Sequence, residues 1–200
     1  MKVIPVRNWL QLKQFCQFQT LSPPASPSEL FNSTFNPVMN HLNYQCFLAL
    51  ENEQIIGRIA AVKDQLNPRP AEGFFSGLEV LNHPLAAQKL LQAAADHLRQ
   101  KGCKIMLGPA TWNSNQQVGI VIEGKASLSQ PGLPCHPPYY SQLLEQAGLQ
   151  KLTDLLSFHW YRASGFPRLT ARIARRASRN PQVKLQKFNF TGFSQFYHGQ

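Results

Sequence analysis

The sequence predicts a mixed α/β domain, a central mixed twisted sheet flanked by helices, and three observations carry that expectation. Apolar residues make up 43% of the 200 residues and charged residues only 15%, which is enough apolar material for a real core. Short runs rich in branched and aromatic residues alternate with segments whose apolar residues recur at helical spacing. Their order is strand, helices, hairpin, strand, helix, strand, helix, strand, which suits one sheet with helices packed on it. No internal repeat is visible.

Lys2 to Val6 reads as a short strand and Trp9 to Phe18 as a helix, with Trp9, Leu12, Phe15 and Cys16 near one face. The prolines of residues 22–28 forbid regular structure, and Ser28 is placed to cap a short helix through Phe35. Tyr44 to Leu50 and Gln54 to Lys63 are apolar runs joined by Glu51-Asn52-Glu53, so an antiparallel hairpin is expected. Gly73 to Leu81 is a third strand. Pro84 suits the first turn of a helix in which Ala87, Leu90, Leu91, Ala94 and Leu98 follow at helical spacing, ended by Gly102. Lys104 to Leu107 reads as a fourth central strand stopped by Gly108-Pro109, and Val118 to Ile122 as an apolar run. After a loop rich in Gly, Pro and Ser, Tyr140 to Ala147 is a helix and Leu152 to Tyr161 a last strand.

No segment approaches the roughly 18 consecutive apolar residues of a membrane span. Met1 to Phe18 is broken by Arg7, Asn8, Gln11, Lys13 and Gln14, so it does not read as a signal peptide and a cytoplasmic location is expected. Cys16, Cys46, Cys103 and Cys135 form no C-x-x-C pair and no zinc spacing; they read as reduced, mostly buried thiols, and no metal is expected. The net charge of +10 is unevenly placed: residues 1–163 carry 13 Lys/Arg against 10 Asp/Glu, and residues 164–200 carry 7 Lys/Arg and no acid. The body is nearly balanced, and the tail needs its own explanation.

The order of elements resembles the GNAT-type acyl-CoA N-acyltransferase fold. Phe47-Leu-Ala-Leu through Gly57-Arg-Ile-Ala-Ala, and Gly73-Phe-Phe-Ser-Gly-Leu-Glu, are similar to a group of bacterial proteins in that superfamily. So are Leu107-Gly-Pro-Ala-Thr-Trp-Asn-Ser-Asn, Gly119-Ile-Val-Ile-Glu-Gly, Pro137-Pro-Tyr-Tyr and Gly148-Leu-Gln-Lys-Leu-Thr-Asp-Leu. The resemblance covers roughly residues 36–160, with motifs that are specific together and weak singly. Proteins of the group often carry a second GNAT-like half. Val183-Lys-Leu-Gln-Lys-Phe-Asn-Phe looks like the first strand of such a half, cut short at Gln200. The expected organisation is a GNAT-like domain over 1–163, a basic helical linker over 164–182 and the start of a second half over 183–200.

The resemblance implies acetyl-CoA or another acyl-CoA as co-substrate. In the fold, pantetheine pairs with backbone exposed where two central strands splay at a bulge. The pyrophosphate then rests on N–H groups at the start of the next helix. Here that places pantetheine beside Leu78, Val80 and Leu81, and pyrophosphate near Asn82, His83, Leu85, Ala86, Ala87, Gln88 and Lys89. The family loop reads Q/R-x-x-G-x-G/A, whereas Asn82 to Lys89 contains no glycine and Pro84 lacks an N–H. A plain packing turn is the other reading.

Acetyl transfer to an amine needs a base for the amine proton and an acid for the leaving thiolate. The resemblance suggests Glu79 as base, or else a solvent-facing or structurally paired strand residue. The family's acid is a Tyr four residues before the Gly of the last helix-to-strand turn. Leu144 stands there, and Tyr140, one turn earlier on the same face, is the substitute unless it and Tyr139 are packing aromatics. Asn113 and Asn115 either orient the substrate or form turns. The six histidines read as structural or solvated, and no nucleophile elbow or phosphate loop is present.

Pro167 opens a helix through Arg179 in which Arg168, Arg172, Arg175 and Arg179 form a cationic stripe beside Leu169, Ile173 and Ala177. A linker to a second half is preferred over contacts with nucleic acid or an anionic membrane surface. The function expected is acyl-CoA-dependent N-acyl (acetyl) transfer to a small-molecule or peptide amine. The alternative is a catalytically silent GNAT-like module that binds a ligand or partner, and a second GNAT-like half or a homodimer is a further possible association.

Overall fold

A computed structural model describes residues 1–20, 31, 37–112, 118–123, 136–156, 161, 165 and 167–183. The chain divides into two compact units, Met1–Thr153 and Asp154–Gln200. The first contains β1 (Lys2–Pro5), α1 (Trp9–Gln17), a 3-10 turn (Pro37–His41), β2 (Leu42–Glu51), β3 (Gln54–Asp64) and β4 (Glu72–Val80). It continues with α2 (Pro84–Gln100), β5 (Ile105–Leu107) and α3 (Tyr140–Gln146); the second unit holds α4 (Arg168–Ser178).

The strands form one five-stranded sheet in the order β1-β2-β3-β4-β5. The pairs from β1 to β4 are antiparallel, and β5 lies parallel to β4. A parallel pair needs a crossover, and α2 supplies it. The result is a mixed α+β fold with a mixed sheet between helices.

Each element follows from its residues. The β2–β3 hairpin closes on Asn52 and Glu53, with φ of 48° and 64°. Two positive values in a two-residue connection are what a turn twisting with the strands requires. Asn8 caps α1 by accepting from the Gln11 N–H, and Phe15 and Cys16 face inward. In α2, Pro84 occupies the first turn and His83 is the cap, its Nδ1 accepting from the Ala86 N–H at 3.1 Å.

Apolar alternation in the strands builds two cores. On one face Ile59, Phe75, Leu78 and Val80 pack under Ala87, Leu90, Ala94 and Leu98 of α2 and Tyr140, Leu143 and Leu144 of α3. On the other, Cys46, Leu48, Ala60, Val62 and Phe74 pack with Phe15 and Cys16 of α1 and with Trp112. The closeness of α2 to the sheet depends on Gly57. A Cβ there would sit 2.8 Å from Leu90 Cδ1 and 3.0 Å from Val80 Cγ2.

Two irregularities in β4 create the candidate site. Arg58 pairs with Glu79 and Ala60 with Ser76, so two residues of β4, Gly77 and Leu78, stand opposite Ile59 alone. This is a bulge, and Gly77 adopts φ +56° within it. β5 pairs with β4 only from Glu72 to Phe74. Beyond the backbone bond from Ala110 N–H to the Phe75 carbonyl, β5 does not follow β4, and the two strands part.

The expected last strand, Leu152 to Tyr161, is corrected over its first five residues, and residues 157–160 lie outside the described residues. Leu152–Leu156 has no strand structure, and Leu152, Leu155 and Leu156 are all exposed. Apolar residues make a strand only where a neighbouring strand meets their N–H and C=O groups, and no ladder includes these. Val118 to Ile122 contributes one isolated bridge, Ala110 with Val118. The short helix expected from Ser28 lies outside the described residues apart from Phe31. Cys16, Cys46 and Cys103 are buried and free.

Candidate active site

Glu79 stands one residue past the bulge, on the α1 face of the sheet. Its Oε2 accepts from the Thr20 N–H at 3.1 Å and from the Thr20 hydroxyl at 2.5 Å. The cross-strand neighbour is Arg58, only 5% exposed. The guanidinium donates from Nη1 to the Phe15 carbonyl at 2.6 Å and lies 4.8 Å over the Phe15 ring. Burial lowers the Arg58 pKa, while the Glu79 charge, ahead of Cys16, Cys46 and Tyr140, raises it. A buried cation therefore sits beside a carboxylate already held by two donors.

From the other side of the parted strands come the tyrosines before and within α3. The Val80 N–H donates to the Tyr140 hydroxyl oxygen at 2.9 Å, and the Tyr139 hydroxyl donates to the Val80 carbonyl at 3.0 Å. The Tyr140 hydroxyl also lies 3.4 Å from Glu79 Oε2. Burial, then the Glu79 charge, pushes the Tyr140 phenol well above its usual range; the Val80 N–H and Thr20 act in the opposite direction. The phenol is a held proton. Against it, at 5.3 Å between ring centres, lies His136, whose Nδ1 is buried with no hydrogen-bond partner among the described residues. Burial lowers the His136 pKa and the Glu79 charge partly restores it, so the imidazole is neutral at pH 7.

The structure thus brings Glu79 and Tyr140 together, although they are 61 residues apart. Leu144, where a tyrosine was expected, is a buried core residue. Sequence reasoning passed over Thr20, Arg58 and His136. A signal for Arg58 existed: it is the lone charge within Ile55–Val62, and a cation inside an apolar strand rarely lacks a partner.

The proposed cofactor residues are arranged less favourably for a ligand. Leu78 and Val80 are buried, and both backbone groups of Val80 are met by tyrosine hydroxyls. The Leu81 N–H bonds to the Ile56 carbonyl. Asn82, Leu85, Gln88 and Lys89 are exposed, whereas Ala86 and Ala87 turn their methyls into the core. The Ala87 N–H bonds to the His83 carbonyl, the Ala86 N–H is capped by His83, and Pro84 has none. An acyl-CoA fits this edge only by displacing side chains, the two hydroxyls and the His83 ring. Asn113 and Asn115 lie outside the described residues. Among the described residues no cluster of His, Cys, Asp or Glu could hold a metal.

A groove of about 300 Å³ opens elsewhere, between β1, α1 and β2, lined by Val6, Trp9, Leu12, Tyr44 and Cys46 among others. No member of the Glu79 cluster lines it.

No family model matches the sequence. The chain is 27% identical over 190 residues to a bacterial ceramide synthase of Caulobacter vibrioides, covering 88% of this chain and 50% of that protein. It is 32% identical over 129 residues to Protein YghO of Escherichia coli, covering 63% of this chain and 33% of the relative. The chain therefore spans half the length of one curated relative and a third of the other. Among solved structures, an aminoglycoside 6'-N-acetyltransferase of Acinetobacter haemolyticus superposes with a TM-score of 0.48 at 15% identity, covering 80% of this chain and 99% of that one. Glucosamine-6-phosphate N-acetyltransferase of Arabidopsis thaliana gives 0.43 at 12%, covering 80% and 100%.

Proposed function

We propose that the chain is an acyltransferase domain that moves an acyl group from an acyl-CoA thioester to an amine, with Glu79 and Tyr140 handling the protons. The observation that carries this reading is the hydroxyl of Tyr140 lying 3.4 Å from Glu79 Oε2 and 2.9 Å from the Val80 N–H, on the strand edge beyond the β4 bulge. The acceptor must lose a proton to become nucleophilic and the thiolate must gain one to leave. Glu79 takes the ammonium proton. The amine then adds to the thioester carbonyl. As the intermediate collapses, the C–S bond breaks, Tyr140 gives its proton to the sulfur, and Glu79 returns the amine's proton to the phenol oxygen. The adduct nitrogen still carries one surplus proton, which passes to water; one amide, one thiol and one released proton result, and both residues recover their starting states. A phenol held so far above its usual range is a poor acid alone, so the simultaneous return from Glu79 is what makes its proton available.

Similarity to a protein named a ceramide synthase extends the reading to its substrates. Ceramide is the N-acyl amide of a long-chain amino alcohol. A long-chain acyl-CoA and a long-chain amino alcohol are accordingly the pair we propose, in place of acetyl-CoA and a small amine.

The experiment is calorimetry with acetyl-CoA and long-chain acyl-CoAs, followed by thiol-release turnover with a long-chain amino alcohol. Burial pushes the Cys16 thiol up to about 11 and raises Cys46 and Cys103, so these three thiols give a thiol reagent little background. Glu79→Gln should bind acyl-CoA as the parent does and turn over about 10²–10⁴-fold more slowly. No binding at millimolar acyl-CoA would remove the enzyme reading. The silent ligand-binding module would then stand, favoured by the tyrosine hydroxyls on Val80 and by the internally bonded start of α2.

A further inference from the structure

We propose that α4 is a docking helix for an anionic lipid surface. None of its residues, Arg168 to Ser178, is buried. At 100° per residue, Arg168, Arg172, Arg175, Arg176 and the following Arg179 fall within one third of the helix circumference. Leu169, Ile173 and Ala177 form an apolar stripe immediately beside them, between Arg176 and Thr170, with Ala174 beyond. Leu169 is 66% exposed and Ile173 60% exposed.

The two faces together select the partner. A solvated linker explains the arginines and leaves two large aliphatic side chains in water on one stripe without a reason. A polynucleotide would take the arginines through its phosphates and offer the aliphatic stripe nothing. A bilayer surface rich in anionic headgroups offers both, negative charge at the headgroup level and hydrocarbon just beneath it. The sign of the charge is unopposed, since residues 164–200 contain seven Lys/Arg and no Asp or Glu. Arg176 borders Leu169, so its aliphatic stem can follow the apolar stripe inward while its head stays with the phosphates. The helix is short, so attachment by two aliphatic residues is reversible and depends on the charge. The proposal stands independently of turnover at Glu79.

The test is co-sedimentation of the full chain with vesicles of phosphatidylcholine alone, or with about one third phosphatidylglycerol, at low and high salt. Binding is expected to the anionic vesicles only, and to fall as salt is raised. Charge reversal at Arg168, Arg172 and Arg175 (each to Glu) should weaken it at least about a hundred-fold. Leu169→Ser with Ile173→Ser should weaken it about ten-fold while leaving all the charge in place. An unchanged thermal transition shows that neither variant disturbs the body. Equal binding to neutral vesicles, or full binding by the Leu169/Ile173 variant, overturns the proposal. So does binding of a DNA duplex, with the same arginine dependence, by a chain that ignores vesicles.

Discussion

Arg58 sets the charge balance around Glu79, and two substitutions expose how. Arg58→Met keeps the aliphatic stem over Phe15 and removes the cation beside Glu79. Breaking a buried charge arrangement from one side should cost about 3 kcal/mol. The double variant with Glu79→Gln should recover a measurable part of that, because the remaining charge is gone too; urea unfolding of the four members of the cycle reads the coupling. Tyr140→Phe keeps the ring in the core and strips the Val80 N–H of its acceptor, at a cost of about 1–3 kcal/mol. Tyr139→Phe, which leaves a half-buried carbonyl instead, should cost less, and the two variants compared by urea midpoint test that order. Thr20 and Arg58 were not legible as partners of Glu79 in the sequence. Their meeting depends on which residue of β3 faces which of β4, and that register is reset by the bulge.

Among the elements, the hairpin and α2 were the most legible. The apolar runs of β2 and β3 and the 3.6-residue spacing in α2 are both large signals, because the strands are buried on both faces and the helix along one. The hairpin turn was legible in place though not in form, since Asn52 and Glu53 take positive φ without a glycine. The run Leu152–Leu156 misled because it reads as the start of an apolar strand, while sequence gives no count of available sheet edges. The contact of α2 with β3 carries a prediction of its own. Gly57→Ala would press a methyl onto Leu90 and Val80, and the cost of overpacking should be about 1–3 kcal/mol. A matching Leu90→Ala exchange should offset part of it, which thermal unfolding of the single and double variants would check.

At the scale of the whole molecule, stability should decline in mild acid. His97 and His136 both have pKa values lowered first by burial. A folded-state pKa below the unfolded value near 6.5 means that the unfolded chain takes up protons first as pH falls. Stability from this source is complete above about pH 6.5 and is lost progressively below it. In Glu79→Gln the upward pull on His136 disappears, so the loss should deepen; replacing both histidines by Asn should flatten the profile, read as urea midpoints across pH. The basic tail was legible in composition, and its division into adjacent cationic and aliphatic stripes was legible only from helical spacing; what sequence could not supply was the exposure of both stripes of α4. The β4 bulge also governs which length changes this fold accepts. By simple alternation from Phe75, Glu79 would point toward α2 and Leu78 toward α1; the additional residue exchanges those assignments, putting Leu78 and Val80 in one core and Glu79 opposite. Deleting Gly77 would therefore erase the bulge without moving any side chain to the other face, because Leu78 would then follow Ser76 directly and stand opposite Ile59, with Glu79 still opposite Arg58. A one-residue insertion into the regular part of β4 would instead reverse facial parity beyond it, driving a carboxylate under α2 and an aliphatic side chain toward Thr20, so this strand should accept the loss of Gly77 far better than the gain of a residue.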